Sequence, residues 1–401
     1  MRLDDPGMSA RKQSICTVIA DDLTGACDAA VQFANLGYTT MVVLDRSSIE
    51  DCDAEVIAAS TDSRRDMPEE AARKVERLAG ILSRRQSPLI FKKIDSTLRG
   101  NVAAEIDASM KAFGCRTGVI APAFPAMGRL LSDGWLRVER SASPPVHLPT
   151  LLKQQGLPGI AHADRAVLSA GAGRLQERVA GWINGRVCLI VFDSSSDVDL
   201  EAVIKSCAGR RPDPLWVGSA GLARALANHF SGEGSMPRIK PTPPDKRPAV
   251  RGSVVLCIGT DHPVTEEQLR VLSASRPVTT TLADQSGLPG AERALREGRI
   301  LLVRIEPGKT NKDTVCKFLA GLNGTRVQGL LLSGGDTASL VCAALNARFI
   351  RLNAEIMDGV PWGWFGGGLQ DGLPLATKSG GFGSADTLVG VVDFLSSCPR
   401  A

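Results

Sequence analysis

Aromatic side chains are scarce: the chain of 401 residues holds one Tyr, 11 Phe and five Trp. Little material remains for stacking on nucleobases, and a net charge of only +4 adds no electrostatic case for a nucleic-acid partner. No run approaches the roughly 20 apolar residues of a membrane span, and no apolar signal-peptide core stands near the start. The ten cysteines (16, 27, 52, 115, 188, 207, 257, 316, 342 and 398) form no Cys-x-x-Cys, which argues against zinc and a disulfide framework. Cys16, Cys188 and Cys257 lie inside apolar runs and read as small buried hydrophobes, so a reducing, cytoplasmic setting is expected. His147, His162, His229 and His262 are scattered, which leaves a histidine-centred mechanism unsupported. No Gly-x-Gly-x-x-Gly follows the first strand, which counts against a dinucleotide-dependent dehydrogenase.

What is present is 43% hydrophobic and 22% charged residues, with 41 Gly that follow no Gly-X-Y period. That composition suits an α/β protein with many strand-to-helix turns, and the length suggests two domains. Residues 1–13 are polar, with Pro6 and Gly7, and read as a disordered leader. Residues 231–251 carry Gly232, Gly234, Pro237, Pro241, Pro243, Pro244 and Pro248 and read as a linker between 14–230 and 252–401. Each half is expected to hold a mainly parallel sheet flanked by helices, with ligand sites in the cleft between them.

The chain is organised around Asp21-Asp22, where the apolar run 15–20 stops and a helical pattern over 24–36 begins. Ligands of open α/β sheets sit at the carboxyl ends of strands, which gives these acids a chemical reading. The rival reading is that Asp22 or Thr24 only caps the helix. Two further strand ends repeat the pattern, at Thr61-Asp62-Ser63-Arg64-Arg65 and at Lys92-Lys93-Ile94-Asp95-Ser96. The turn at 122–129 offers Arg129 to an anion. Gly218-Ser219-Ala220-Gly221 either brings amides to an anion or merely lets backbones pack, and the residues alone do not decide.

In the second half Ser333-Gly334-Gly335-Asp336-Thr337 and Lys378-Ser379-Gly380-Gly381-Phe382-Gly383 are both glycine-rich strand ends. Glycines let backbone amides approach phosphate oxygens, and Lys378 reads as an added point charge. Gly308-Lys309-Thr310 ends like a Walker A loop, but Val303 stands where its first glycine belongs, so it reads as a turn. Carboxylates in one half and phosphate-cradling loops in the other suggest phosphoryl transfer with Mg²⁺ bridging phosphates. No set of metal ligands can be read from the sequence.

Residues 19–28, 93–100, 122–129, 218–223, 333–337, 359–362 and 378–383 together resemble the four-carbon acid sugar kinases, in that family's order and over nearly the whole chain. The resemblance implies an N-terminal acid-sugar-binding domain, a C-terminal ATP-binding domain and transfer of the γ-phosphate to the terminal (4-) hydroxyl of threonate, erythronate or 3-oxo-tetronate. It places Asp21 and Asp22 at the sugar hydroxyls, with Arg64, Lys93, Asp95, Ser96 and Arg129 completing the pocket. It places Gly259, Thr260, Gly334, Gly335, Asp336, Thr337, Lys378, Ser379, Gly380, Gly381, Phe382 and Gly383 around ATP. Asp22 is the first candidate base and Asp95 the second; the residues do not separate them.

Two departures from the family pattern bear on these expectations. Pro145-Val146-His147-Leu148-Pro149-Thr150 stands where many members carry a His-Pro and Asp-rich segment, which tilts the substrate toward D-threonate. Gly259-Thr260-Asp261-His262 replaces the usual Gly-Ser-Cys-Ser, which weakens an adenine-side contact from Thr260. The rivals are a kinase for 4-hydroxythreonine and a non-catalytic sugar-acid sensor. The expected partner is a small sugar acid, with no nucleic acid and no membrane, and a homodimer is left open.

Overall fold

In a computed structural model the residues described are 14–139, 144–185, 187–210, 213–232, 252–306, 310–322 and 327–401. The expected leader, most of the expected linker (233–251) and Gly308-Lys309 lie outside the described residues.

The run Cys-Thr-Val-Ile-Ala at Cys16–Ala20 is buried on both faces, as a central strand of a parallel sheet must be. Val56–Ser60 and Leu89–Lys93 flank it, both parallel. Eight strands of the first half form one parallel set, from Thr40–Val43 to the edge strand Ile160–Ala163. Five strands of the second half form another, from the edge strand Val278–Leu282 to Pro374–Lys378. Helices cover both sets, giving the α/β architecture expected from the sequence.

The two parallel sets are not separate sheets. Phe349–Met357 and Val360–Gly366 pair antiparallel between them, and residues 349–352 pair antiparallel with Thr40–Val43. Among the described residues this makes one 15-stranded sheet. Three successive antiparallel junctions leave the two sets running in opposite directions, so a flat sheet would place their carboxyl ends on opposite edges. Asp22, past a strand end of the first set, nevertheless meets Gly335, past a strand end of the second, an approach that accumulated strand twist permits.

Helix Leu23–Ala34 sits at that junction and is buried along its whole length, which is why its sequence is mostly small and apolar, Thr24, Asp28 and Gln32 apart. It packs on Ala220–Gly232 from its own half and on Gly335–Ala344 and Phe349–Met357 from the other. Gly218 and Gly221 let the start of helix Ala220–Gly232 pack on the end of strand Gly118–Ala121 and the turn after it: a Cβ there would stand 2.6 Å from the Ala121 carbonyl oxygen and 2.3 Å from that of Ala123. The packing reading of that glycine pair therefore holds over the anion reading. The proline-rich stretch after Arg129 adds a small three-stranded antiparallel sheet of Arg129–Ser132, Trp135–Val138 and Val146–His147. No helix among the described residues is long and apolar enough to cross a membrane.

Candidate active site

Asp22 does cap its helix: its extended backbone (φ −144°, ψ 161°) lets Oδ1 accept the Gly25 N–H at 2.7 Å. Capping accounts for only one of its oxygens. Oδ2 accepts from Arg64 Nη1 at 2.6 Å and from the Thr24 hydroxyl at 3.1 Å. Arg64 also clamps Asp21 through both remaining nitrogens, Nε to Oδ2 at 2.6 Å and Nη2 to Oδ1 at 2.8 Å. Asp95 is gripped by Arg99, Nε at 2.7 Å and Nη2 at 2.9 Å, and by the Thr97 hydroxyl.

These surroundings separate the two candidate bases. Burial pushes the Asp22 carboxyl above the usual carboxylate range; Arg64 and Lys93 oppose that, and Asp21 and Asp95 reinforce it. Burial raises Asp95 too, but hydrogen bonds from Arg99 and the charges of Arg64 and Arg99 outweigh it and hold Asp95 well below that range. A carboxylate so held accepts a proton poorly, which favours Asp22 over Asp95 as the base and suits Asp95 to orienting the arginines.

Lys93 Nζ donates to the Ile94 carbonyl at 2.9 Å and lies beside Gly25, where a Cβ would come within 3.3 Å of it. Its strand is pinned from behind: Lys92, wholly buried, pairs with Glu105 at 2.6 Å, and Glu105 accepts from Ser63 at 2.7 Å. The Arg129 guanidinium lies 4.8 Å from the Phe382 ring centroid, and its buried Nε has no hydrogen-bond partner.

On the other side, helix Gly335–Ala344 begins after Gly334 (φ 101°) with no capping side chain, so its first-turn N–H groups lack a cap. A Cβ on Gly335 would stand 2.4 Å from Asp22 Oδ2, and one on Gly259 would stand 2.1 Å from the Thr337 hydroxyl. Only glycine permits these approaches. Gly334 N–H donates to the Lys378 carbonyl at 3.0 Å and ties the two glycine-rich loops together.

Lys378 departs from its expected place as a free point charge. Its side chain is wholly buried, and Nζ donates to the Ser379, Gly380 and Phe382 carbonyls and to the Thr265 hydroxyl at 3.0–3.3 Å. Burial pushes the ammonium's pKa down to about 7, against which the surrounding acceptor oxygens favour the charged form.

Most of these groups border one cavity of about 1650 Å³. Every residue expected at the site lines it except Asp21, which stands behind Arg64, and Lys378. Cations for a carboxylate, carboxylates for hydroxyls and uncapped amides for an anion thus face one space.

Among the lining residues given no role by the sequence is Asp28. Asp28 is buried, its Oδ1 has no partner, and burial pushes its carboxyl up to about 7; Lys93 and Arg129 oppose this, and Glu355 and Asp22 reinforce it. The spacing Asp22, Gly25, Asp28, Gln32 places these residues on one helix face, and that spacing was the available signal. Among the described residues no group of three or more His, Cys, Asp or Glu is arranged to hold a metal ion.

A family model described as a sugar-binding N-terminal domain matches residues 16–226, and one described as a nucleotide-binding C-terminal domain matches 266–388. A protein of Bordetella bronchiseptica named D-threonate kinase is 32% identical over 93% of this chain and 95% of its own length. One of Pseudomonas fluorescens named 3-oxo-tetronate kinase is 29% identical over 92% and 94%. A solved Haemophilus influenzae structure shares the fold, with a TM-score of 0.69 at 23% identity over 94% of this chain and 98% of that one. With both halves matched and the relatives aligned nearly end to end, the chain belongs to the four-carbon acid sugar kinases, phosphotransferases that act on an alcohol group.

Proposed function

We propose that the protein transfers the γ-phosphate of ATP, with Mg²⁺, to the terminal (4-) hydroxyl of a four-carbon sugar acid, and that the acid is D-threonate. The observation that carries this reading is the contact of Gly335 with Asp22. An uncapped helix start, suited to phosphate, there meets a buried carboxylate of raised pKa on one cavity.

In this reading 14–230 holds the acid and 252–401 the nucleotide. Arg64, Lys93 and Arg129, which line the cavity, draw the substrate carboxylate. Asp22 accepts the proton of the attacking hydroxyl, while Asp21, Asp95 and Ser96 hold the cations and the remaining hydroxyls in place. Bound ATP supplies the phosphoryl group. Gly259, Thr260, the 334–337 turn and the 379–383 loop surround it with backbone amides, which cost no reorganisation as charge shifts. Mg²⁺ suits this site as an ion held mostly by phosphates and water, with Asp336 as the neighbouring carboxylate, since it needs no dedicated protein cage. Ten free cysteines support a reducing, cytoplasmic setting. D-threonate is favoured because the relative named for it is 32% identical against 29% for the 3-oxo-tetronate kinase.

The test is ATP consumption with Mg²⁺ against D- and L-threonate, D-erythronate and their 3-oxo relatives, with the phosphorylated product weighed by mass spectrometry. Fastest turnover on D-threonate is the expected result. Preference for another acid would replace the substrate and keep the chemistry. Binding of ATP and an acid without turnover would reject the kinase reading in favour of a sensor.

A further inference from the structure

The 379–383 loop has few side chains with which to hold its own shape, three of its five residues being glycine. What holds it is the strand residue before it. Lys378 Nζ donates to Ser379 O at 3.0 Å, Phe382 O at 3.2 Å and Gly380 O at 3.3 Å, and to Thr265 Oγ1 at 3.2 Å. The Thr265 hydroxyl gives its own proton to Gly380 O at 2.7 Å, so toward Lys378 it can only accept. All four neighbours are therefore acceptors, an arrangement that favours the charged ammonium at their centre. The side chain has no exposure and does not line the cavity, so no phosphate reaches it without rearrangement.

The consequence for the loop follows from peptide planarity. A trans peptide points its N–H opposite to its C=O, so carbonyls of 379, 380 and 382 turned inward leave the N–H groups of Gly380, Gly381 and Gly383 turned outward. Those glycines line the cavity, and among the described residues none of the three N–H groups is taken by a protein acceptor. Gln268 assists from the adjoining helix Pro263–Ser275, donating to Phe382 O at 3.0 Å and Ser384 O at 2.9 Å.

We propose that Lys378 is a tethered monovalent cation: its ammonium fills a four-oxygen cage fit for a potassium or ammonium ion, and by drawing the carbonyls inward it aims the loop's amides at the nucleotide's phosphates. Lys378 is thus a positioning residue, and this role rests on the nucleotide reading of the loop given above. The cage brings its own cation, so the native protein needs none from solution. Removal of the side chain uncovers a site for one.

The experiment measures ATP affinity by calorimetry in sodium, potassium and ammonium chloride of equal ionic strength, for the native protein, Lys378→Ala and Lys378→Met, with thermal melts alongside. The native protein should bind equally in all three salts. Lys378→Ala should lose on the order of tenfold or more in sodium, the worth of one charge-assisted hydrogen bond, and regain affinity in potassium or ammonium. Lys378→Met fills the space of the side chain without charge and should stay weak in every salt. Equal loss in Lys378→Ala whatever the salt, as lost affinity or lost folding, overturns the proposal, as does a native affinity that follows the cation. If the native protein binds no nucleotide, the nucleotide reading fails. The cage is then judged separately, standing if potassium or ammonium raises the melting temperature of Lys378→Ala above its value in sodium and falling if it does not.

Discussion

Asp28 presses its carboxyl into a wall shared with Lys93, Arg129, Glu355 and Asp22, and burial lifts its pKa from the ordinary 3.8 to about 7. Between those values the folded chain holds a proton that the unfolded chain has released, so stability falls as pH climbs from about 4 and levels off above about 7. Some three pKa units correspond to a loss on the order of 4 kcal/mol. Asp28→Asn should flatten that window and be the more stable protein at pH 8; urea midpoints at pH 5 and pH 8 measure it, and parallel losses in both proteins would show that no such shift exists. Asp22→Asn tests the other acid. Asn caps a helix as well as Asp does, so the fold should survive while turnover drops by about 10²–10⁴ and ATP affinity stays near native. Steady-state kinetics and calorimetry together measure this, and retained turnover would remove Asp22 from the chemistry.

Two junctions between elements decide whether those residues are correctly held. Lys92 and Glu105 join strand Leu89–Lys93 to helix Val102–Phe113 with almost no exposure. Glu105→Gln leaves the Lys92 charge buried and uncompensated, which should cost about 3–5 kcal/mol in denaturant unfolding. A cost under about 1 kcal/mol would mean that water already reaches the pair. The second junction is Gly335 on Asp22. Ala is the better helix former by about 1 kcal/mol, so Gly335→Ala should leave the melting temperature near native. Its Cβ, 2.4 Å from Asp22 Oδ2, should nevertheless force the two apart and cut turnover by tenfold or more, on the scale of a misplaced reacting group. Native turnover in this variant would show that the contact is not used.

Across the whole molecule the antiparallel seam joins the two parallel sets, Ile350 pairing with Val42 and Arg351 with Met41. Helix Leu23–Ala34, buried throughout, packs on elements of both sets. The halves should therefore unfold together. Variants keeping Trp216 or Trp362 as sole tryptophan place one probe in the first set and one in the seam strand Val360–Gly366, packed in the core of the second half, and their urea transitions should coincide. Separate transitions would show that the seam couples the halves weakly.

The sequence by itself determined what depends on near neighbours. The apolar run before Asp21-Asp22, the Lys93 to Ser96 corner and the glycines at 334–335 and 379–383 announce strand ends because burial period and turn chemistry are local. The motifs, read in order, gave the family. Tertiary structure alone decided where long side chains point and which edges meet. Lys378 turns inward because three carbonyls and Thr265, 113 residues away, await it. Asp95 is held well below the usual carboxylate range because Arg64 comes from another strand end to meet Arg99 beside it. Two expected sheets become one because Thr40–Val43 finds Phe349–Met357 across some 300 residues. An edge strand's partner is not written in its own alternation, since any strand of matching register satisfies the same backbone groups.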